Sequence, residues 1–161
     1  MRTLVRPAVV VLAVAVATAA VAGVGRANTS TVLTFHLVEK DQSFHFIDNP
    51  PLNGENAPPS QGDAFVFTSE LLTRSGKHAG TLNASCTATS GGRNGAVTCF
   101  GTFRLKGGQL AGITTVHGES RTTRVAIVGG TGVYAGARGE VISVDRGENS
   151  PFADDTFRLV R

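Results

Sequence analysis

The sequence predicts an antiparallel all-β domain, and three observations carry that prediction. Runs rich in Val, Thr, Phe and Ile recur along the chain and are cut by Gly, Asn, Ser and Pro clusters. No stretch beyond the N-terminal leader shows the three-to-four-residue apolar period of an amphipathic helix. The 20 glycines of the 161-residue chain argue further against helix, since each costs a helix interior about 1 kcal/mol.

The leader comes first. Arg2 and Arg6 precede an apolar run over residues 8–22, and small residues come next, with candidate cleavage sites at Ala20-Val21-Ala22 and Gly25-Arg26-Ala27. This is the layout of a secretory signal peptide, and the run is too short and too mildly apolar for a stable membrane span. Residues 1–27 are therefore expected to be removed, with cleavage between 22 and 27, and residues 28–161 to form one extracellular domain with one core. The leader holds Arg2, Arg6 and Arg26, so the mature part balances its basic against its acidic residues. A near-neutral chain without a basic stripe is not built to neutralise phosphates, which excludes nucleic acid as a partner.

Strand runs are expected at residues 31–39 and 43–48, the first placing Leu33, Phe35 and Leu37 on one face. Residues 49–61 hold four prolines and no apolar period, and are expected to form a long irregular connection. Further runs lie at 64–72, 78–89, 96–105, 110–117, 122–128, 140–145 and 155–160, separated by turn signals such as Ser75-Gly76 and Gly107-Gly108. About eight or nine strands at this spacing suit a sandwich or a closed barrel.

The two cysteines, Cys86 and Cys99, flank the turn-forming run Ser90-Gly91-Gly92-Arg93-Asn94-Gly95. A hairpin there brings them opposite one another, and in an exported chain a disulfide is expected. No Cys-x-x-Cys spacing or neighbouring His suggests a redox or metal site, and no His spacing elsewhere suggests a metal.

The stretch from Arg124 into Gly130-x-Gly132-x-x-Ala135 superficially fits a dinucleotide-binding turn. That fingerprint requires a helix next and a second parallel strand, but Gly136-Ala137-Arg138-Gly139 cannot sustain a helix and too little chain remains. The segment Gly129-Gly130-Thr131-Gly132-Val133-Tyr134-Ala135-Gly136-Ala137-Arg138-Gly139 instead resembles the glycine signature of plant dirigent proteins and, in a related form, of allene oxide cyclases. Gly62-Asp63, the run Gly80 to Cys86, and Gly107-Gly108-Gln109-Leu110 resemble the cyclase layout in the same order.

The resemblance implies an eight-stranded antiparallel barrel, often trimeric. Its cavity would bind an apolar small molecule and restrict its conformation without a cofactor. Gly129, Gly130, Gly132, Tyr134, Arg138 and Gly139 are then structural, with Tyr134 packing over the turn and Arg138 pairing locally. The cavity positions of the cyclases' first strand align with His36 and Val38, and a second one with Ser69, while Ala135 stands where the dirigent signature has an Arg. These departures argue against allene oxide cyclase activity and lignan coupling as such.

The expected activity is guided cyclisation or coupling of an apolar small molecule. A non-catalytic carrier or an interaction module on the same barrel is the alternative. His36 is the candidate catalytic residue, and Ser69, Arg104 and His117 are candidate ligand-binding residues. A barrel filled by Phe35, Phe65, Phe67 and Phe103 would leave no room for a ligand.

Overall fold

The computed structural model describes residues 31–50, 52, 57–118 and 120–160. The expected leader lies outside the described residues. Eight strands succeed one another: β1 Val32–Ile47, β2 Ala64–Leu72, β3 His78–Ala88, β4 Ala96–Leu105, β5 Gly108–His117, β6 Thr122–Gly130, β7 Arg138–Asp145 and β8 Phe152–Val160. Each pairs antiparallel with its neighbour and β8 closes onto β1, so the sheet is a barrel without free edges. Closure removes the unpaired backbone row that an open sheet would expose, and it decides the sandwich-or-barrel question that strand spacing leaves open.

The two runs expected at 31–39 and 43–48 are a single 16-residue strand. Its pairing with β2 shifts between Asp41 and Ser43, leaving Gln42 as a bulge. An extra residue reverses the in-out alternation of the strand beyond it. Leu33, Phe35, Leu37, Glu39 and Asp41 share the inner side before the bulge, and Phe44 and Phe46 face their β2 partners Phe67 and Phe65 after it.

Inner side chains form layers that explain where the barrel is full and where it is hollow. Leu82, Phe103 and Leu110 are opposite one another across β3, β4 and β5. With Leu71, Leu105, Ile127, Phe157 and Leu159 they fill one end. Phe157 is fully buried, stacked on Phe35 at 4.5 Å between centroids and edge-on to Phe103 at 5.2 Å. Burying such a ring contributes roughly 2–3 kcal/mol.

One layer further along, the residues in register are Ala84, Gly101 and Gly112. These nearly absent side chains cannot meet across the lumen, and the barrel is open from there to its other end. The next layer carries the Cys86–Cys99 disulfide, whose cysteines are directly opposite in the β3–β4 ladder.

The glycine signature seals the filled end. Residues Gly132–Tyr134 form a short 3-10 turn between β6 and β7, and Tyr134 packs against the core cluster. Gly132 has φ +60°, and a Cβ there would run into the Gly107 carbonyl oxygen; Gly139 has φ +138°, and its Cβ would strike the Arg158 carbonyl oxygen. Both backbone positions require glycine. Arg138 is exposed and makes no ion pair among the described residues, so its local pairing is not part of this turn.

Candidate small-molecule cavity

The open end is the one carrying the β1–β2, β3–β4, β5–β6 and β7–β8 connections. It leads into a cavity of about 400 Å³, within the size range of drug-sized ligand sites. The four phenylalanines that could have filled the lumen leave it open: Phe65, Phe67 and Phe103 form part of the wall, and Phe35 packs below in the filled end.

The wall has two chemically distinct sides. On β2 to β6 it is apolar or weakly polar, with Phe67, Leu82, Phe103, Val116 and Val125 among its residues. On β1, β7 and β8 it carries Glu39, Asp41, Asp145 and Asp155, with Ser143 between them. Strand register produces this cluster. Ala153 stands opposite both Glu39 on β1 and Asp145 on β7, so a small residue separates the two acids. Asp155 sits one inner position deeper, opposite Leu37 and Ser143. Asp41 lies one inner position nearer the mouth, opposite Ser69.

Asp155 and Ser69 are each only 1% exposed. The Ser69 and Ser143 hydroxyls lie close enough to act on the neighbouring carboxyls. Yet no hydrogen bond of good geometry reaches either carboxylate oxygen of Asp155 or involves Ser69 Oγ. Burial, followed by the negative charge of Glu39, raises the Asp155 pKa to about 7; Ser143 opposes the rise and Asp154 and Asp145 add to it. Glu39 is also raised, by burial first, against the Ser69 hydroxyl and with Asp41 and Asp145 adding repulsion. Asp41 is raised by burial and then by Asp145. Asp155 thus binds a proton near neutral pH, the condition for acid–base work by a carboxyl, and Glu39 and Asp41 are shifted in the same direction.

At the mouth, Asp63 anchors the long connection. Its carboxylate accepts hydrogen bonds from the backbone N–H of Ser60 at 2.6 Å and of Asn49 at 2.9 Å. These bonds, Ser60 first, hold it below the ordinary carboxylate range.

Of the candidate residues read from the sequence, the fold brings only Ser69 to the carboxyl cluster. His36 faces outward and its Nδ1 lies 3.0 Å from Thr156 Oγ1 on the outer surface. Arg104 is exposed on the outside of β4 and lines a shallow groove with His78 and Lys106. His117 is exposed near the end of β5, next to the cavity-lining Val116. The three do not converge. Sequence reasoning misses the carboxyls, although the alternation that puts Leu33, Phe35 and Leu37 on one face continues directly to Glu39 and Asp41. Alignment of the polar pair with 36 and 38 puts its first member on the outer face, whereas a pair two residues apart does face the lumen at 39 and 41.

No family model matches the chain, and no curated protein does. Among solved structures, pyocyanin demethylase is similar with a TM-score of 0.67 and 25% identity, over 79% of this chain and 99% of that one. A pterocarpan synthase dirigent protein is similar with a TM-score of 0.64 and 18% identity, over 81% and 94% of the two chains. The chain has the dirigent-type barrel fold. The same dirigent-like architecture extends to the exo-specific intermolecular Diels-Alderase AbnU, with a TM-score of 0.62 and 13% identity over 81% and 99%.

Proposed function

We propose that the protein is an exported dirigent-like barrel that takes a small molecule with an apolar body into this cavity and guides its cyclisation or coupling without a cofactor. The observation that carries the reading is the two-sided wall, an apolar surface facing a cluster of proton-binding carboxyls. The names of the similar structures support it, since they describe a demethylase, a pterocarpan synthase and a Diels-Alderase on this barrel.

The chemistry grows out of the geometry. An apolar body laid against Phe67, Phe103 and Val125 turns its polar end toward Asp155 and Glu39. Confinement in one folded conformation brings reacting atoms to near-attack distance and removes the entropic part of the barrier, which can be worth several kcal/mol. Asp155 populates both protonation states near neutrality. Its neutral form donates a hydrogen bond or proton where negative charge develops on the substrate, and an ionised neighbour accepts a proton from an acidified carbon or hydroxyl.

Export rests on the leader and agrees with the disulfide. Association of copies, which the resemblance implies as a trimer, has a suitable surface. Val66, Ser85, Phe100 and Ile113 are in register across the outside of β2 to β5, with Phe100 53% exposed and no charge in the row.

The test is mass spectrometry of small molecules retained by the protein purified from its native secretion, then turnover of whatever is recovered. Recovery of a polyene, oxylipin or phenolic that the protein converts, with conversion reduced about 100-fold in Asp155→Asn and unchanged in His36→Ala, supports the reading. A retained molecule released unaltered would make the barrel a carrier, and a cavity that retains nothing and converts nothing would sink the proposal.

A further inference from the structure

Among the described residues, four carboxyls line this cavity and no Lys, Arg or His does. The charges acting on Glu39 and Asp155 are all negative: Asp41 and Asp145 on the first, Glu39, Asp154 and Asp145 on the second. The arginine that directly follows Asp145 is engaged elsewhere. Arg146 makes a two-pronged bond to Asp154 on the outer side, at 2.7 and 3.0 Å. On β2 the only acid, Glu70, belongs to the outer surface, where it meets Gln42 and His78.

A cluster of acids alone is no site, but a second observation stands beside it. Asp155, a buried residue of the cavity wall, receives no hydrogen bond of good geometry at either carboxylate oxygen, Ser143 being its one nearby hydroxyl, and the Ser69 hydroxyl beside Asp41 makes none of good geometry either. Buried acceptors left open in this way await a donor, because an unmet buried polar group costs about 1–3 kcal/mol. The rest of the wall includes the rings of Phe65, Phe67, Phe103 and Phe152, surfaces that attract a cation through their π-faces.

We infer that the cavity selects an organic cation, a flat or apolar molecule bearing one positively charged nitrogen that sits among Glu39, Asp155, Asp41 and Asp145 while its body lies against the phenylalanine wall. The inference rests on the proposed use of this cavity for a small molecule and names the class it takes. A metal ion is the other cation chemistry, and the geometry disfavours it: no group of three or more His, Cys, Asp or Glu among the described residues could hold one.

A cation binds the ionised cluster better than the protonated one, so binding expels a proton and affinity rises with pH through neutrality. The test measures binding of three probes of equal shape to the mature protein by calorimetry at pH 5.5 and 8: N-methylquinolinium, 1-methylnaphthalene and 1-naphthoate. The expected result is that the quinolinium binds at least tenfold more tightly than the neutral probe at pH 8, and at least tenfold more tightly at pH 8 than at pH 5.5, while the neutral probe shows no such rise. Asp155→Asn and, separately, Glu39→Gln should each flatten the pH dependence and leave binding of 1-methylnaphthalene intact. That second readout distinguishes loss of charge from loss of fold. Equal affinity for the cationic and neutral probes, or preference for the naphthoate, overturns the inference while leaving the cavity's use in place. Failure of all three probes to bind overturns both.

Discussion

Asp155→Asn should make the protein more stable at pH 8 and change little at pH 4. The carboxyl's ordinary value of 3.8 is raised to about 7 in the folded protein. Between those values the folded state holds more protons than the unfolded one, so the contribution of this group to stability is complete below about pH 4 and is lost as pH rises to about 7. Three units at about 1.4 kcal/mol each set the total loss at roughly 4 kcal/mol, of which about 3 kcal/mol falls between pH 5 and 8.

Asparagine carries no charge to desolvate and should remove most of that slope. Glu39, raised for reasons of its own, leaves a residue of it. Groups with lowered values, Asp63 and Asp154, have the opposite sign: their stabilisation is present above the unfolded value near 4 and is lost only as pH falls further, outside this window. The assay is urea unfolding monitored by far-ultraviolet circular dichroism at pH 5, 6, 7 and 8. With a urea slope of about 2 kcal/mol/M, the wild-type midpoint should fall by about 1.5 M from pH 5 to 8. The variant's midpoint should fall by well under half as much. Parallel curves for the two proteins would refute the claim that Asp155 is a buried, unpaired acid.

Reduction of Cys86–Cys99, which closes a loop of sequence separation 13, should cost about 3 kcal/mol and lower the melting temperature by about 10 °C; an unchanged melting curve under reductant would deny the bond any stabilising role. Gly132→Ala forces a side chain into the Gly107 carbonyl at positive φ and should destabilise by at least about 2 kcal/mol. Gly129→Ala, where a Cβ meets nothing within 4 Å, should be far milder in the same denaturation series. Phe100→Glu on the outer row should shift the protein to a smaller species by light scattering if copies associate through that face, with no change in the isolated barrel's circular dichroism.

Much of the architecture is written in local chemistry. The runs at 64–72 and 96–105 are β2 and β4 to the residue, because alternation and bounding glycines act over a few positions and do not depend on the rest of the chain. The hairpin that pairs Cys86 with Cys99 is equally local. So is the glycine signature, whose positive-φ positions no other residue suits. The sequence by itself therefore determined an all-β chain, the positions of most strands and the disulfide, and its resemblance pointed to the barrel.

The contents of the lumen required the closed sheet. Glu39, Asp145 and Asp155 come from three strands, two of them more than a hundred residues from the first, and only the β8–β1 closure places them around Ala153. Which acids meet is a matter of register: a shift of one residue would turn them outward, where His36 and Arg104 now lie. Whether the barrel is full or hollow likewise depends on which small residues align across strands. Ala84, Gly101 and Gly112 carry no signal in the chain and become the floor of a cavity only when two ladders bring three strands level. Local pattern sets which way each side chain points; long-range register decides what it meets.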